Sequence, residues 1–228
     1  FPTPTLFRSG GTWSRLFHRD ALQNRSQVVA VLLWWLLLAL LGLMAVPWLQ
    51  LAFPDLRLHG YGFGRIIGLL LWAYPAWLLA ALHLVTHTRV LLWAILALWI
   101  GATALLTRSR WPALKTFLAT NWRDLLSVEI IFGALFLGWT LVRYFNPDLF
   151  HPVAGGEKPM DFAYLNAVIK SRWFPPYDPW FAGGSMNYYY FGFVLIGTLT
   201  EALGIIPSTA YNLAIPTLFA MTGVGGYT

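Results

Sequence analysis

VVAVLLWWLLLALLGLMAVPWLQLAF, residues 28–53, runs without a single charged side chain. At 1.5 Å per residue a helix of this length exceeds the ~30 Å hydrocarbon core of a bilayer. No water is present there to satisfy backbone groups, so a span of this kind must be helical. It is also too long for the apolar region of a signal peptide. This run sets the class of the whole chain.

Working outward, similar runs recur. Residues 64–85 form a second span interrupted by Pro75, and 90–106 a short third, with only THTR between them, so the two make an antiparallel hairpin. A basic loop, 107–125, carries Arg108, Arg110, Lys115 and Arg123, with an amphipathic turn around 113–122. Residues 127–145 make a fourth span, 188–203 a fifth, and 208–228 a sixth in which Pro216 invites a kink. The polar segment 1–27, with Arg8, Arg15, Arg19 and Arg25, includes an amphipathic piece around 13–22 suited to lying on headgroups. The expected fold is therefore all-α. It is a polytopic transmembrane bundle of about six spans in a single domain, 28–228, preceded by an interfacial segment, 1–27. A long loop, 146–187, joins spans four and five. The chain ends inside an apolar run and is expected to be a piece of something longer.

Composition agrees. Of 228 residues, 58% are hydrophobic and 11% charged, with a mean hydropathy of +0.60. Soluble domains carry roughly 25% charged residues. The absence of Cys excludes disulfides, thiolate metal sites and a Cys nucleophile. The net charge of +6 is dispersed between apolar runs, where Lys and Arg meet anionic headgroups, and forms no nucleic-acid patch. GYGFG at 60–64 follows no strand, so a nucleotide cofactor has no support. Segments 1–27 and 107–125 lie three spans apart and hence on opposite sides. The basic residues leave the absolute orientation open.

The polar anomaly is GGEKPMDFAYLNAVIKSRWFPPYDPWFAGGSMNYYYFG, residues 155–192. Lys158-Pro159-Met160-Asp161 reads as a helix start, since proline suits the first turn. Phe162, Leu165, Val168 and Ile169 then recur at helical spacing, giving an amphipathic helix on the membrane surface. Asp161 in that first turn is a capping carboxylate or a reactive one, and the helix dipole alone would lower its pKa. Glu157 lies four residues earlier, so the two acids suit a shared divalent metal, proton or hydroxyl nucleophile. Pro175, Pro176 and Pro179 make the next segment a stiff, non-helical strap holding Asp178. Asn187, Tyr188, Tyr189 and Tyr190 then open the fifth span, where phenols serve either as an aromatic belt or as donors to a phosphate or sugar.

This stretch resembles the signature of the "YYY" family of uncharacterised bacterial and archaeal membrane proteins, and the resemblance extends over most of 28–228. That family is in turn distantly similar to GT-C glycosyltransferases, whose acidic motif opens a juxtamembrane helix in an extracytoplasmic loop. Asp161 matches the acid, 174–178 the strap and 187–190 the closing element. Phe162 stands where several relatives have a second acid. The resemblance implies a polyprenyl-phosphate sugar donor in a prokaryotic plasma membrane. Asp161 would be the general base and Glu157 a second acid or metal ligand. Lys158 or Arg172 would neutralise the leaving phosphate, and Asp178, Asn187 and Tyr188–Tyr190 would help to bind the substrate.

A competing reading is a non-catalytic integral subunit packed among other membrane subunits of a respiratory or photosynthetic complex. His83 and His87, one helical turn apart at the end of the second span, would then face a pigment or metal, or form an interfacial pair. Glu129 and Glu201 lie within apolar runs near span ends, and each is a functional-site candidate, although snorkelling to the interface costs little there. Arg143 is expected to pair with a carboxylate or a headgroup.

Overall fold

The computed structural model describes residues 16–149 and 156–228. The regular elements are α1 (Leu22–Arg25), α2 (Gln27–Ala52), α3 (Gly64–Ala81), α4 (Arg89–Phe145), α5 (Lys158–Lys170), α6 (Phe191–Leu203) and α7 (Pro207–Tyr227). A 3-10 segment, Arg57–Phe63, joins α2 to α3. The described residues contain no strand, only one isolated antiparallel bridge between Tyr177 and Ser185. The chain is an all-α membrane protein. Three segments, Gln27–Ala52, Arg57–Ala81 and Arg89–Phe145, are long and apolar enough to cross a bilayer, each holding an 18-residue stretch with a mean hydropathy of 2.7, 1.5 and 2.2 respectively. Residues 1–15, including Arg8, Arg15 and the start of the expected amphipathic piece, lie outside the described residues, as do 150–155.

Helix α2 begins where its sequence provides a cap: the Ser26 hydroxyl accepts from Val29 N at 3.4 Å, a bond worth about 1 kcal/mol at such a position. It meets α3 at close range. A Cβ on Gly68 would stand 2.3 Å from the Leu41 carbonyl oxygen, and one on Gly64 3.2 Å from that of Gly42. Lipid tails are as apolar as leucine, so helices in a membrane gain most by such close backbone approach at small residues. Polar side chains add cross-links: Trp34 Nε1 donates to Thr217 Oγ1 at 2.9 Å and Trp72 Nε1 to the Leu92 carbonyl at 2.7 Å.

Helix α4 departs from expectation. The segment 107–125, expected as a basic loop, is helical, so α4 has 57 residues and would be about 85 Å long if straight. It is not straight. Arg89 at its start donates to the Leu16 and Glu201 carbonyls, both at 2.6 Å, and lies with Gln23 beside Gly204. Leu137, Thr140 and Tyr144 near its end share a groove with Gln27 and Val28. Its middle meets the other end of α2: Thr103 accepts from Trp48, and Phe117 packs on His59. The helix therefore turns back on itself at Arg110, whose φ of −113° and ψ of 15° break the helical run. Pro112 follows, in the first turn after the break, where a missing N–H costs nothing. The second arm packs along α7 through Leu135 near Gly223, Trp139 stacked on Phe219 and Arg143 bonded to Asn212.

Two further segments differ from the sequence reading. α3 ends at Ala81, and His83 takes a left-handed conformation (φ 56°) beyond it. His83 and His87 are therefore not on one helix face. The expected fifth span, 188–203, is helical only from Phe191, and its 13 residues rise about 20 Å, short of a crossing. Phe191 packs on Trp77 near the end of α3, while Leu203 accepts a bond from Gln23 next to α2. Both ends of α6 thus stay at one end of the bundle, the end that also carries α5.

Candidate functional site

Helix α5 starts as read, with Pro159 in its first turn and Asp161 behind it. It presses Leu165, Val168 and Ile169 inward, and Val168 and Ile169 meet Gly197 of α6. Its far end is tied down by the backbone. His87 N donates to the Arg172 carbonyl at 2.9 Å, and Arg172 Nη1 donates to the His87 carbonyl at 3.0 Å. Around that tie sits a buried polar cluster. Glu201, 2% exposed, has Oε1 3.8 Å from Arg172 Nη1 and Oε2 3.3 Å from His87 Nδ1. Glu201 was expected to snorkel, but α5 and the strap close over it and it finds a cation instead. His87 is buried edge-on to Phe174, whereas His83 is exposed and stacks on Trp173.

The strap is a small hairpin. Met186 N donates to the Pro176 carbonyl at 2.7 Å and Asp178 N to that of Gly184 at 2.9 Å. Asp178 Oδ1 accepts from Trp180 N at 2.8 Å and Phe181 N at 3.3 Å, capping the turn. Gly183, at φ 81°, supplies the left-handed residue that this turn needs. Trp180 and Phe181 project from its tip. Phe174 is buried and stacks on Tyr190, whose hydroxyl accepts from Trp77 Nε1 at 3.2 Å.

At the other end of α5 lie the acids. Glu157 and its neighbour Gly156 are exposed and precede the helix, and Lys158 opens it half-buried. The Tyr211 hydroxyl of α7 stands near enough to the Asp161 carboxylate to favour its ionised form. Burial, followed by the nearby Glu157 charge, holds Asp161 above the usual carboxylate range, and the Tyr211 hydroxyl offsets only part of this. The helix dipole was expected to lower that pKa, but desolvation wins. Tyr164, one turn along, is pushed up by burial and then by the charges of Asp178 and Asp161, with Tyr188 also in reach. Tyr189 feels both Asp161 and Glu157. With Tyr74, Trp77, Asn187, Tyr190 and Phe191 it lines a shallow aromatic groove of about 320 Å³.

The structure thus brings Glu157, Lys158, Asp161, Tyr188 and Tyr189 to one rim and places Asn187 beside them. Asp178 reaches the rim by charge, while its oxygen caps the strap. Tyr190 is turned into the packing. Arg172 lies two residues beyond the end of α5, which itself rises about 14 Å from Asp161 to Lys170, and is engaged with Glu201 and His87. Among the described residues no group of three His, Asp or Glu is placed to hold a metal. Tyr211 was not foreseen. Its one sequence signal is a tyrosine followed by Asn212 near the start of an otherwise apolar run.

A protein-family model described as an uncharacterised membrane protein (DUF2298) matches residues 71–228. The chain belongs to that family. The match takes in the rim, the strap, the α4 bend and α7, and begins within α3. No curated protein and no solved structure matches the chain.

Proposed function

We propose that this chain is the donor-site part of a GT-C-like membrane glycosyltransferase in a prokaryotic plasma membrane, moving a sugar from a polyprenyl phosphate to an acceptor hydroxyl. One observation carries the reading: a carboxylate of raised pKa, Asp161, beside a phenol at the end of a helical membrane bundle with a second acid four residues away. A carboxylate whose pKa is shifted toward neutrality is a stronger base while still ionised at working pH. Asp161 takes the acceptor's proton as its oxygen attacks the anomeric carbon. The bond from that carbon to the phosphate oxygen breaks, and the lipid phosphate leaves with the electron pair. Tyr211 keeps the carboxylate oriented. Lys158, three residues before Asp161 on the same helix, neutralises the charge that develops on the leaving phosphate. The phenols of Tyr188 and Tyr189 offer donors and aromatic faces to the sugar.

The test uses membranes containing the full-length protein and a radiolabelled polyprenyl-phosphate sugar. D161N should lower transfer about a hundredfold or more, the usual contribution of a positioned general base. Transfer unchanged in D161N would refute the assignment.

A further inference from the structure

A second site lies across α7 from the rim. Tyr211 faces Asp161, and the next residue, Asn212, faces Arg143 on the second arm of α4. Arg143 is 8% exposed. Its Nε donates to Asn212 Oδ1 at 2.8 Å, and its Nη2 donates to the same oxygen at 2.5 Å and to the Asp148 carbonyl at 3.1 Å. All of these acceptors are neutral. No carboxylate pairs with Arg143 among the described residues, and Nη1 makes no hydrogen bond there. A buried cation without a counter-charge is costly in an apolar setting, and an intramembrane arginine is by default a functional site. The two other arginines of the spanning region that are engaged with acids, Arg65 and Arg172, are paired with Glu129 and Glu201.

Arg143 also lines a groove of about 560 Å³ between α2, the second arm of α4 and α7. Val28, Val31, Leu32, Leu137 and Leu213 make its walls, while Thr140, Ser208 and Thr209 give neutral hydroxyl-bearing positions near the arginine. Among the described residues the groove therefore has a hydrocarbon wall and a single positive charge. We propose that it binds an anionic phospholipid of the surrounding bilayer, one acyl chain along the leucines and the phosphodiester on Arg143 Nη1. One cation matches the single charge of a phosphodiester. A phosphate monoester would bring up to two, and the described residues that line the groove provide no second cation. This inference does not depend on the transfer reaction.

The full-length protein in mild detergent would be titrated with phosphatidylglycerol and with diacylglycerol of the same chains, bound lipid being counted by native mass spectrometry. Phosphatidylglycerol should bind at least about tenfold more tightly than diacylglycerol, and R143Q should remove that preference, since a hydrogen bond to a charged group is worth about a factor of ten or more. Val31→Trp, which fills the groove and leaves the arginine, should weaken both lipids, so the assignment is testable even if R143Q does not fold. D161N should leave lipid binding as it was, which separates failure here from failure of the transferase reading. Equal binding of the two lipids by the wild type, or full phosphatidylglycerol binding by Val31→Trp, would overturn the proposal. Displacement of phosphatidylglycerol by equimolar polyprenyl phosphate would also overturn it and assign the groove to the monoester.

Discussion

Cutting the ion pair between Arg65 and Glu129 should cost the bundle more than any surface charge does, and replacing both residues should restore most of the loss. Arg65 has a side chain only 6% exposed, its guanidinium carbon sits 3.8 Å from the Phe132 ring centroid, and its Nη2 bonds Glu129 Oε2. Tyr61 donates to the other Glu129 oxygen at 2.8 Å, while Arg65 Nε, also buried, has no hydrogen-bond partner among the described residues. Removing one member of a buried pair costs about 3–5 kcal/mol because the other charge is left uncompensated. Glu129 is 32% exposed, so water relieves part of this. E129Q, which strands the buried arginine, should therefore lose about 2–3 kcal/mol. R65M strands a carboxylate that keeps Tyr61 and some solvent, and should lose about 1–2 kcal/mol. The double variant R65M/E129Q strands no charge and should fall within about 1 kcal/mol of wild type. The coupling energy is then about 2–5 kcal/mol, read as shifts in the unfolding midpoint at constant slope in mixed-detergent denaturation. If the double variant loses the sum of the two singles, the pair is not a unit and the reasoning fails.

Two further perturbations follow from the packing and the rim. Gly68→Val should destabilise by about 3 kcal/mol, since the backbone carbonyl of Leu41 cannot move aside as a flexible side chain would. Gly138→Ala, with nothing near its Cβ position, should be neutral or gain up to about 1 kcal/mol. Denaturant midpoints of the two variants compare them directly. At the rim, Asp161's raised pKa means that the folded chain holds that proton more tightly than the unfolded chain does. Its contribution to stability is thus present at acid pH and lost as pH rises through the folded value. Base catalysis should run the other way, with turnover rising with pH through the same value, above the normal carboxylate range. Tyr211→Phe removes a hydroxyl that favours the carboxylate, so the acid limb of the pH–rate profile should move further up, while D161N should abolish it. A limb that stays in place in Tyr211→Phe would separate Asp161 from the titration.

How much of this was legible beforehand depends on the range of the interaction. Local signals worked. The uncharged run at 28–53 became α2, Lys158-Pro159 opened α5 with Asp161 in its first turn, and three prolines with Gly183 produced a hairpin rather than a helix. Polarity misled at 107–125. Arg108, Arg110, Lys115 and Arg123 read as a loop between two spans, yet lysine and arginine are good helix formers, and Pro112 falls in the first turn after the bend, where it is tolerated. Pairings distant in sequence were invisible. Nothing near Glu201 announces Arg172, whose guanidinium comes from the far end of α5, and nothing near Asp161 announces a tyrosine fifty positions later. The same gap explains the pKa of Asp161: its helix dipole is a local term that the sequence carries, while its desolvation arises only once the chain is packed.

The two ends of α5 are held by different means, and this bears on which of its residues can do chemistry. The C-terminal end is pinned by two backbone-acceptor bonds with His87, by the buried Glu201 beneath it and by Phe174 wedged between His87 and Tyr190. Arg172 belongs to that pin: drawing it toward a phosphate at the rim would strip Glu201 of its nearest cation inside a dry pocket. The N-terminal end has one described tie to the bundle through a polar side chain, the Tyr211–Asp161 contact, and the residues around it are half-buried or exposed. A helix clamped at one end and lightly tethered at the other can swing its free end by small angles at little cost. That freedom suits a carboxylate that must release a phenol to take up an acceptor's proton.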